Sequence, residues 1–430
     1  MIWSSRRLGC SLISLALFCA ATHAVAQAVE PVLALAKKER TALLDTLRDL
    51  VTIESSSHDR EGLDKLADVI AGRLKALGAT VEMIEPGADI YKMHDTPPKI
   101  GKMVRAMFNG TGRAKILLIA HMDTVYPRGM IGKQPFRIDG DRAYGLGIAD
   151  DKQGVAVILH TMELLKALNF RDYGTLTVFI NGDEELSSPA SRGHLAKLGA
   201  EHDAVMSFES SRVAADKVSL ATSGVAAVTL KVTGRASHSG SAPERGVNAL
   251  YELAHQILQT KDLQEPKVGL KMNWTMASAG VTRNMIPPKA EASADVRVLR
   301  VADYDGIEKK VRDKVKNKLL PESVVEFDFE RRRPPLEATA ASRALARHAQ
   351  QIYQELGMSL VIDDEAEGGG TDAAFAALNT QAPVVERFGI RGFGGHSNDA
   401  EYVMISSIEP RLYLAARLIM DIAGGKVGRR

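Results

Sequence analysis

Residues 175–188 read TLTVFINGDEELSS, an apolar run that ends in Asn-Gly and is followed by three consecutive acids. The first six residues are typical of a buried strand. Adjacent like charges repel each other, so the acids Asp183, Glu184 and Glu185 indicate that something positive is bound at the end of this strand. The stretch therefore predicts a sheet whose edge carries the chemistry of the protein.

Helices and strands alternate on both sides of this stretch. Helical periodicity covers Glu61–Leu77 and Gly154–Leu168, and apolar strands cover Lys115–Ala120, Thr175–Ile180 and Ala204–Phe208. This alternation predicts an α/β fold, with a mixed and largely parallel sheet covered by helices. Ligands of such sheets gather at the carboxyl ends of the strands.

The pattern changes between residues 222 and 333, where strands and helices follow in the order β-α-β-β-α-β. This order predicts an inserted α+β sandwich with one antiparallel sheet and two helices. After Pro334-Pro335 the earlier pattern resumes and ends in a helix over Ile408–Ala423. We expect a signal peptide (1–28), a main domain in two parts (29–221 and 334–430) and an inserted domain (222–333).

The amino-terminal 28 residues have the composition of a secretory signal. Arg6 and Arg7 precede an apolar run over residues 12–20, and small residues lead to Ala28, after which cleavage is simplest. The run is too short for a membrane-spanning helix, which needs about 20 apolar residues. We expect a periplasmic or secreted protein with no membrane association after cleavage.

Composition excludes several classes of function. A chain of 430 residues with 45% hydrophobic content exceeds what one core usually organises. The two cysteines, Cys10 and Cys19, leave with the signal, which excludes disulfides, thiolate zinc sites and a cysteine nucleophile in the mature chain. Without Arg6 and Arg7 the chain has 53 basic and 53 acidic residues, so nothing indicates nucleic-acid binding.

Histidines and carboxylates follow several of the predicted strands, so they converge on one rim of the sheet. A lone histidine there is more often a hydrogen-bonded loop residue, and an acid triplet alone could be a solvated turn or a Ca²⁺ ligand. Together they offer two imidazoles and three carboxylates without sulfur, a set that fits two Zn²⁺, with Co²⁺ or Mn²⁺ as alternatives. The candidate ligands are His121, Asp150, Glu185, Glu209 and His396.

The chain resembles the family of co-catalytic zinc peptidases that includes aminoacylases, succinyl-diaminopimelate desuccinylase and bacterial glutamate carboxypeptidases. Seven motifs match that family in order, across nearly the whole mature chain. The resemblance is strongest to the carboxypeptidase G branch, which has Glu rather than Asp at the fourth ligand. The motifs are HMDTV (121–125), GIADDKQG (147–154), NGDEE (181–185), SFES (207–210), GRASHSG (234–240), GGGTDAA (368–374) and GHSNDAEYV (395–403).

The resemblance implies how the metals are held. His121 and Glu209 would bind one metal, Glu185 and His396 the other, and Asp150 would bridge the two. It also implies a cis peptide bond after the bridging acid, between Asp150 and Asp151.

The catalytic roles follow from the same resemblance. Glu184, beside the ligands but not one of them, would act as general acid and base. Asp123 would hydrogen-bond the imidazole of His121 and fix its tautomer. His238 of the insert would stabilise the oxyanion of the tetrahedral intermediate, often across a dimer interface in this family. A turn histidine is the plainer interpretation of His238, and without the resemblance it would be preferred.

Substrate contacts are expected from donors that can bind a carboxylate. The loop GGGTD, with Gly370 and Thr371, would turn backbone N–H groups toward an anion before a helix starting near Thr371. These positions predict release of a C-terminal acidic residue, glutamate first, from N-acyl, peptidyl or folate-type substrates. The positions that match the carboxypeptidase G pattern are Lys217, Ser219, Asn284, Arg297 and Arg333.

Two other interpretations stay open at this point. The same metals could serve an aminoacylase, a dipeptidase or a hydrolase of amino-acid conjugates, since only the substrate pockets differ. A non-catalytic periplasmic protein that binds zinc or another ligand is disfavoured, because it needs neither Glu184 nor His238. The resemblance implies that the two-part domain is catalytic and that the insert is a dimerisation or lid domain, through which we expect the protein to form a homodimer.

Overall fold

The computed structural model describes residues 1, 27–88, 90–397 and 400–428. Residues 2–26, which hold most of the predicted signal, lie outside the described residues, as do Cys10 and Cys19. Among the described helices, none is both long and apolar enough to cross a membrane.

The helices of the described chain contribute to three clusters of buried apolar residues, one of them in the inserted unit. The last helix, Ile408–Ala423, is buried over most of its length and has the bounds that its periodicity predicts. It packs against the first and third helices. In chain order the helices are α1 (Glu30–Val51), α2 (Arg60–Ala76), α3 (Gln153–Ala167), α4 (Arg192–Glu201), α5 (Ala249–Thr260), α6 (Asp303–Lys314), α7 (Ala340–Gln354), α8 (Ala373–Ala377) and α9 (Ile408–Ala423).

A six-stranded mixed sheet forms the centre of the larger core. Its order is β1 (Thr80–Ile84), β2 (Met103–Asn109), β6 (Thr175–Asn181), β3 (Lys115–His121), β7 (Ala204–Ser207) and β15 (Val384–Val385). The last four strands are mutually parallel, and β2 runs antiparallel to β6. Strands β3 and β6 are buried almost throughout, as their apolar runs predict. Their carboxyl ends lie side by side, because His121 pairs with Asn181.

Residues 224–333 form an antiparallel four-stranded sheet with its own core. The sheet order is β11 (Lys271–Ala279), β12 (Lys289–Val298), β10 (Gly224–Thr233) and β13 (Val324–Arg333). Alternate residues of β10 and β12 are buried under α5 and α6. Helix α6 ends at Lys314. The Glu252 carboxylate accepts the amides of Leu319 (3.2 Å) and Leu320 (2.7 Å) and so stabilises a turn there.

Two small sheets lie beside the candidate site. Their strands are too short to be predicted from the sequence. One pairs β9 (Lys217–Ser219) with β14 (Val361–Asp363). The other has the order β4 (Arg137–Asp139), β5 (Arg142–Tyr144), β17 (Tyr402–Met404), β16 (Arg391–Phe393) and β8 (Ser211–Arg212).

The predicted fold class is confirmed: a mixed, largely parallel sheet covered by helices, with an α+β unit inserted. The insert follows the predicted β-α-β-β-α-β order. The division at residues 28, 221 and 333, with the insert as a dimerisation or lid domain, stays a prediction.

Candidate metal centre and substrate cavity

The first group of candidate ligands forms around His121 at the end of β3. The buried imidazole places Nε2 3.0 Å from Oδ1 of Asp150 and 3.3 Å from Oε1 of Glu209. Glu209 follows the neighbouring strand β7, so adjacent parallel strands deliver both side chains to one edge. One ligand atom from each of the three residues lies within 4.8 Å of the others.

The second group contains Asp150 again, with Glu185 and His396. Nε2 of His396 lies 2.9 Å from Oε2 of Glu185 and 3.4 Å from Oδ2 of Asp150. The two oxygens of Asp150 therefore face different histidines. The peptide bond between Asp150 and Asp151 is cis, as the resemblance implied.

The proximity of these groups to one another shifts their pKa values. Hydrogen bonds that His396 donates to the carboxylates of Asp150 and Glu185 raise its pKa to about 11. Burial raises the pKa of Glu185 to about 7, and the nearby Asp150 charge adds to that shift. The raised pKa values of His396 and Glu185 both mean that this cluster attracts positive charge, in the form of protons or of cations.

The residues present fit a pair of divalent cations. Imidazole nitrogens and carboxylate oxygens without sulfur are the donors of zinc, cobalt and manganese sites in hydrolases. Oε1 of Glu185 is buried and has no hydrogen-bond partner among the described residues, so it retains a lone pair for a ligand. Asp150 could bridge two cations because it belongs to both groups.

Asp123 organises the loop that carries Glu184 and Glu185. Its carboxylate accepts the backbone N–H of Glu184 (3.2 Å) and of Glu185 (3.0 Å), and it lies 3.2 Å from Nδ1 of His121. The hydroxyl of Ser57 donates a further bond at 2.8 Å. Asp123 thus contacts the histidine, as predicted, and also fixes the two glutamates.

The remaining acid of the triplet, Asp183, is a turn residue. Its buried carboxylate accepts the amides of Ala190 (2.7 Å) and Ser191 (3.1 Å). Asn181 also donates to it at 3.1 Å. The three consecutive acids after β6 therefore lie in three different environments.

Glu184 is buried and hydrogen-bonded to Arg333, which donates both to its carboxylate and to its carbonyl oxygen. Burial raises the pKa of Glu184 well above its usual value, although the Arg333 charge opposes that shift. The sequence assigned Arg333 to the substrate carboxylate. In the structure its guanidinium is occupied by Glu184 instead.

A cavity of about 1100 Å³ opens beside both ligand groups, a volume that accommodates a small ligand. Four of the predicted substrate-binding residues line it: Lys217, Arg297, Gly370 and Thr371. Ser219 is buried in β9 and its backbone pairs with Glu386 instead.

His238 and Asn284 lie outside this cavity, together on the exposed part of the insert. The amide of Ser239 donates to the carbonyl of Asn284 at 3.0 Å. Nδ1 of His238 accepts the amides of Gly240 and Ser241 at 3.1 Å each. The structure therefore keeps the two residues together but does not bring them to the ligands of their own chain.

The predicted helix after the glycine loop begins later than expected. Helix α8 starts at Ala373, and the Asp372 carboxylate does not cap it. Asp372 instead accepts hydrogen bonds from Asn181 (2.7 Å) and from Ser188. These bonds tie the loop to the end of β6.

Sequence reasoning missed Glu401, which lies in the same motif as His396. Its buried carboxylate accepts the amides of Gly147 (2.9 Å), Ala149 (2.8 Å) and Asp150 (3.1 Å). An acid immediately before a short apolar strand was the available signal. Two cavity cations were also missed, Arg212 and Arg387, because nothing local in the sequence marks their partners.

Comparison with known proteins identifies the class to which this site belongs. The model of the peptidase family M20/M25/M40 matches residues 117–421. The chain belongs to that family and is a metal-dependent amide hydrolase of the metallo-carboxypeptidase type. The predicted resemblance and enzyme class are thereby confirmed.

Among individual proteins, the chain is similar to Carboxypeptidase G2 of Pseudomonas sp. (strain RS-16). The two are 44% identical over 391 residues, 91% of this chain and 92% of the relative. A tripeptidase from Staphylococcus aureus has the same fold, with a TM-score of 0.73 at 21% identity over 90% of this chain and 99% of that one. An M20 family metallo-carboxypeptidase from Sulfolobus solfataricus gives 0.68 at 16% identity, over 89% and 98%.

The hydrogen bonds of Glu401 generate a prediction about metal affinity. Glu401→Gln replaces a carboxylate that accepts three amides with a group that has one acceptor oxygen, so the turn bearing Asp150 should loosen. We expect metal affinity to fall about 10- to 100-fold, as it does when residues that orient ligands are changed. Isothermal titration with Zn²⁺ measures this.

The control is Glu355→Gln, which alters a partly buried glutamate that bonds to Tyr413 and Arg417 and to none of the candidate ligands. Equal metal affinity in the wild type and the Glu401 variant, or an equal fall in both variants, would contradict the assignment.

Proposed function

We propose that the chain is a secreted or periplasmic di-zinc carboxypeptidase that releases C-terminal glutamate from N-acyl or folate-type substrates. The observation that carries this proposal is the arrangement of two ligand groups that share Asp150 and open into a cavity lined by cations. The similarity to Carboxypeptidase G2 over nine-tenths of the chain supports it.

Glu184 is the proposed general acid and base. It follows β6 directly beside Glu185 and is fixed by Asp123 through its backbone amide. In that position its carboxylate takes a proton from the attacking water and returns it to the leaving nitrogen. Two divalent cations held by His121, Glu209, Glu185, His396 and the shared Asp150 would polarise the scissile carbonyl and acidify water.

The residues proposed to recognise the substrate line the wall of the cavity. Lys217 and Arg297 present cations there, and Gly370 and Thr371 present a loop that precedes a helix. A carboxylate bound by charged donors of this kind forms stronger hydrogen bonds than a neutral group does. We propose that the released amino acid is recognised here.

The proposal is tested by measuring which amino acids are released. Purified protein is incubated with Zn²⁺, or with EDTA, on folate and on N-acyl derivatives of glutamate, aspartate, alanine and phenylalanine. We expect metal-dependent release of glutamate from both folate and the acyl derivative. Release of other amino acids only would move the function to an aminoacylase or conjugate hydrolase. No release at all would favour a binding protein.

We propose further that the protein is a homodimer in which His238 of one protomer stabilises the oxyanion in the partner's cavity. This is supported by the exposure of His238 and Asn284 and by their separation from the ligands of their own chain. Strand β11 lies at the edge of the inserted sheet, and its exposed Met276, with Leu250 and Tyr251 on α5, supplies apolar surface on the insert.

Subunit complementation tests Glu184 and His238 together. Glu184→Gln should lower kcat by about 10²- to 10⁴-fold with unchanged metal content, since only proton transfer is lost. His238→Ala should also be impaired. After denaturation and joint refolding of equal amounts, mixed dimers have one intact site of two, so about a quarter of wild-type activity should return. No recovery would contradict the role of His238 across the interface, and an active Glu184 variant would contradict the role of the base.

Export is a proposal that rests on residues 1–28 alone. We expect expression in a bacterium to yield a chain that begins near Val29 in the periplasm or medium, since signal peptidase cleaves after small residues. Mass spectrometry of the purified protein gives the amino terminus. An intact Met1 in a protein confined to the cytoplasm would contradict export.

A further inference from the structure

Three charged side chains on one wall of the substrate cavity are joined by hydrogen bonds, and one of them also bonds to a fourth charged side chain, that of Asp363. Oε1 of Glu367 accepts a hydrogen bond from Nζ of Lys217 at 2.9 Å. Oε2 of Glu367 accepts two bonds from Arg212, at 2.9 Å from Nε and 2.6 Å from Nη2. Lys217 also donates to Asp363 at 3.1 Å. We call these four residues the charge quartet.

The positions of the quartet follow from the small sheet beside the site. Lys217 is the first residue of β9 and Asp363 the last of β14, and the two strands pair in parallel. Glu367 lies four residues beyond β14, immediately before the glycines of the substrate loop. Arg212, Lys217 and Glu367 all line the cavity. The Glu367 carboxylate is therefore held inside the volume that a substrate would enter.

The quartet contains two cations and two carboxylates, so the cluster as a whole has no net charge. Lys217 and Arg212 bind a carboxylate from two sides, which is the geometry expected for recognition of an acidic ligand. The ligand in this position is a side chain of the protein itself. Contacts from Lys217 and Arg212 lower the pKa of Glu367 to about 2, so it is ionised at neutral pH.

We propose that Glu367 determines specificity by occupying the carboxylate position on Lys217 and Arg212, where it competes with the acidic side chain of the substrate. This inference rests on the proposed release of an acidic amino acid. Displacement is feasible because the pair is partly solvated: the side chains of Arg212 and Glu367 are 48% and 37% exposed. Exposed ion pairs of this kind are worth little, so an incoming carboxylate can replace one.

The surroundings of Glu367 also allow it to move. Gly368 has φ +101°, which glycine adopts freely, and a side-chain carbon built there or at Gly369 would meet no atom within 4 Å. Open space thus adjoins both glycines, so the Glu367 side chain has room to rotate. The backbone itself is held, because the Gly368 carbonyl accepts a bond from Arg297 (3.1 Å) and the Gly369 carbonyl accepts the amide of Ser223 (2.8 Å). The Lys217–Asp363 contact, with an Asp363 side chain only 16% exposed, would keep the lysine in place when Glu367 leaves.

The test compares Glu367→Gln with Glu365→Gln in the zinc-loaded enzyme. Both variants remove one negative charge from the same loop, but the Glu365 side chain is exposed and forms no ion pair with the quartet. The substrates are N-acyl-glutamate and N-acyl-alanine with the same acyl group. We expect Glu367→Gln to lower the KM for the glutamate substrate about three- to fivefold, the scale of a partly exposed ion pair, and to change the alanine substrate far less.

A double variant, Arg212→Gln with Glu367→Gln, restores neutrality of the quartet and should cancel the gain. Glu365→Gln should leave both KM values as in the wild type. A higher or unchanged KM for the glutamate substrate in Glu367→Gln would overturn the inference, because Glu367 would then only hold the loop. An equal decrease in KM with Glu365→Gln would also overturn it, because the effect would then come from net charge.

Calorimetric titration with free L-glutamate and L-alanine separates this inference from the proposed function. Tighter glutamate binding by Glu367→Gln supports the competition even where the wild type releases no glutamate, an outcome that would contradict the proposed reaction alone. Unchanged glutamate binding would overturn the inference even in an enzyme that releases glutamate.

Discussion

The position of the Asp150 carboxylate is the constraint on which the rest of the site depends. Its Oδ1 lies 3.0 Å from His121 and its Oδ2 lies 3.4 Å from His396, so one side chain joins two groups. The turn that carries it begins at Gly147, whose φ of +67° is a conformation that glycine adopts without steric cost. The buried Glu401 carboxylate holds this turn by accepting the amide of Asp150. A shift of this one carboxylate would disturb both groups at once.

Placing Asp150 there concentrates acids in a poorly solvated region. Burial raises the pKa of Glu401 to about 7 and that of Glu386 to about 8. Such carboxylates are costly to keep together unless cations or donors offset their charge. Backbone amides do this for Asp123 and Glu401, and Arg333 does it for Glu184. The ligand carboxylates themselves lack an arginine or lysine within ion-pair distance among the described residues, which is the arrangement that favours a bound metal.

The parts of the fold and site that the sequence predicts are those encoded locally. An apolar run of six residues marks β6, and the first polar residues after β3, β6 and β7 mark the shared edge. Short strands are different, because a two- or three-residue strand has no period to detect. Strand β8 pairs with β16 across about 180 residues of chain, and only the folded structure brings Arg212 beside Gly392. Glu401 could not be predicted either, because its hydrogen-bond partners lie some 250 residues earlier in the chain.

Ion pairing sets a second limit on what a sequence reveals about specificity. The sequence identified Lys217, Arg297 and Arg333 as cations for a substrate carboxylate, yet each has a carboxylate of the protein beside it. Arg297 binds Asp295 at 2.8 and 3.0 Å, as Arg333 binds Glu184 and Lys217 binds Glu367. The free energy that a paired cation contributes to substrate binding is the difference between two interactions: the one with the substrate carboxylate and the one with the protein carboxylate that it replaces. In the function proposed above, specificity then depends on which internal ion pairs are weak enough to exchange. That is a property of the folded cavity wall and not of the residue types that line it.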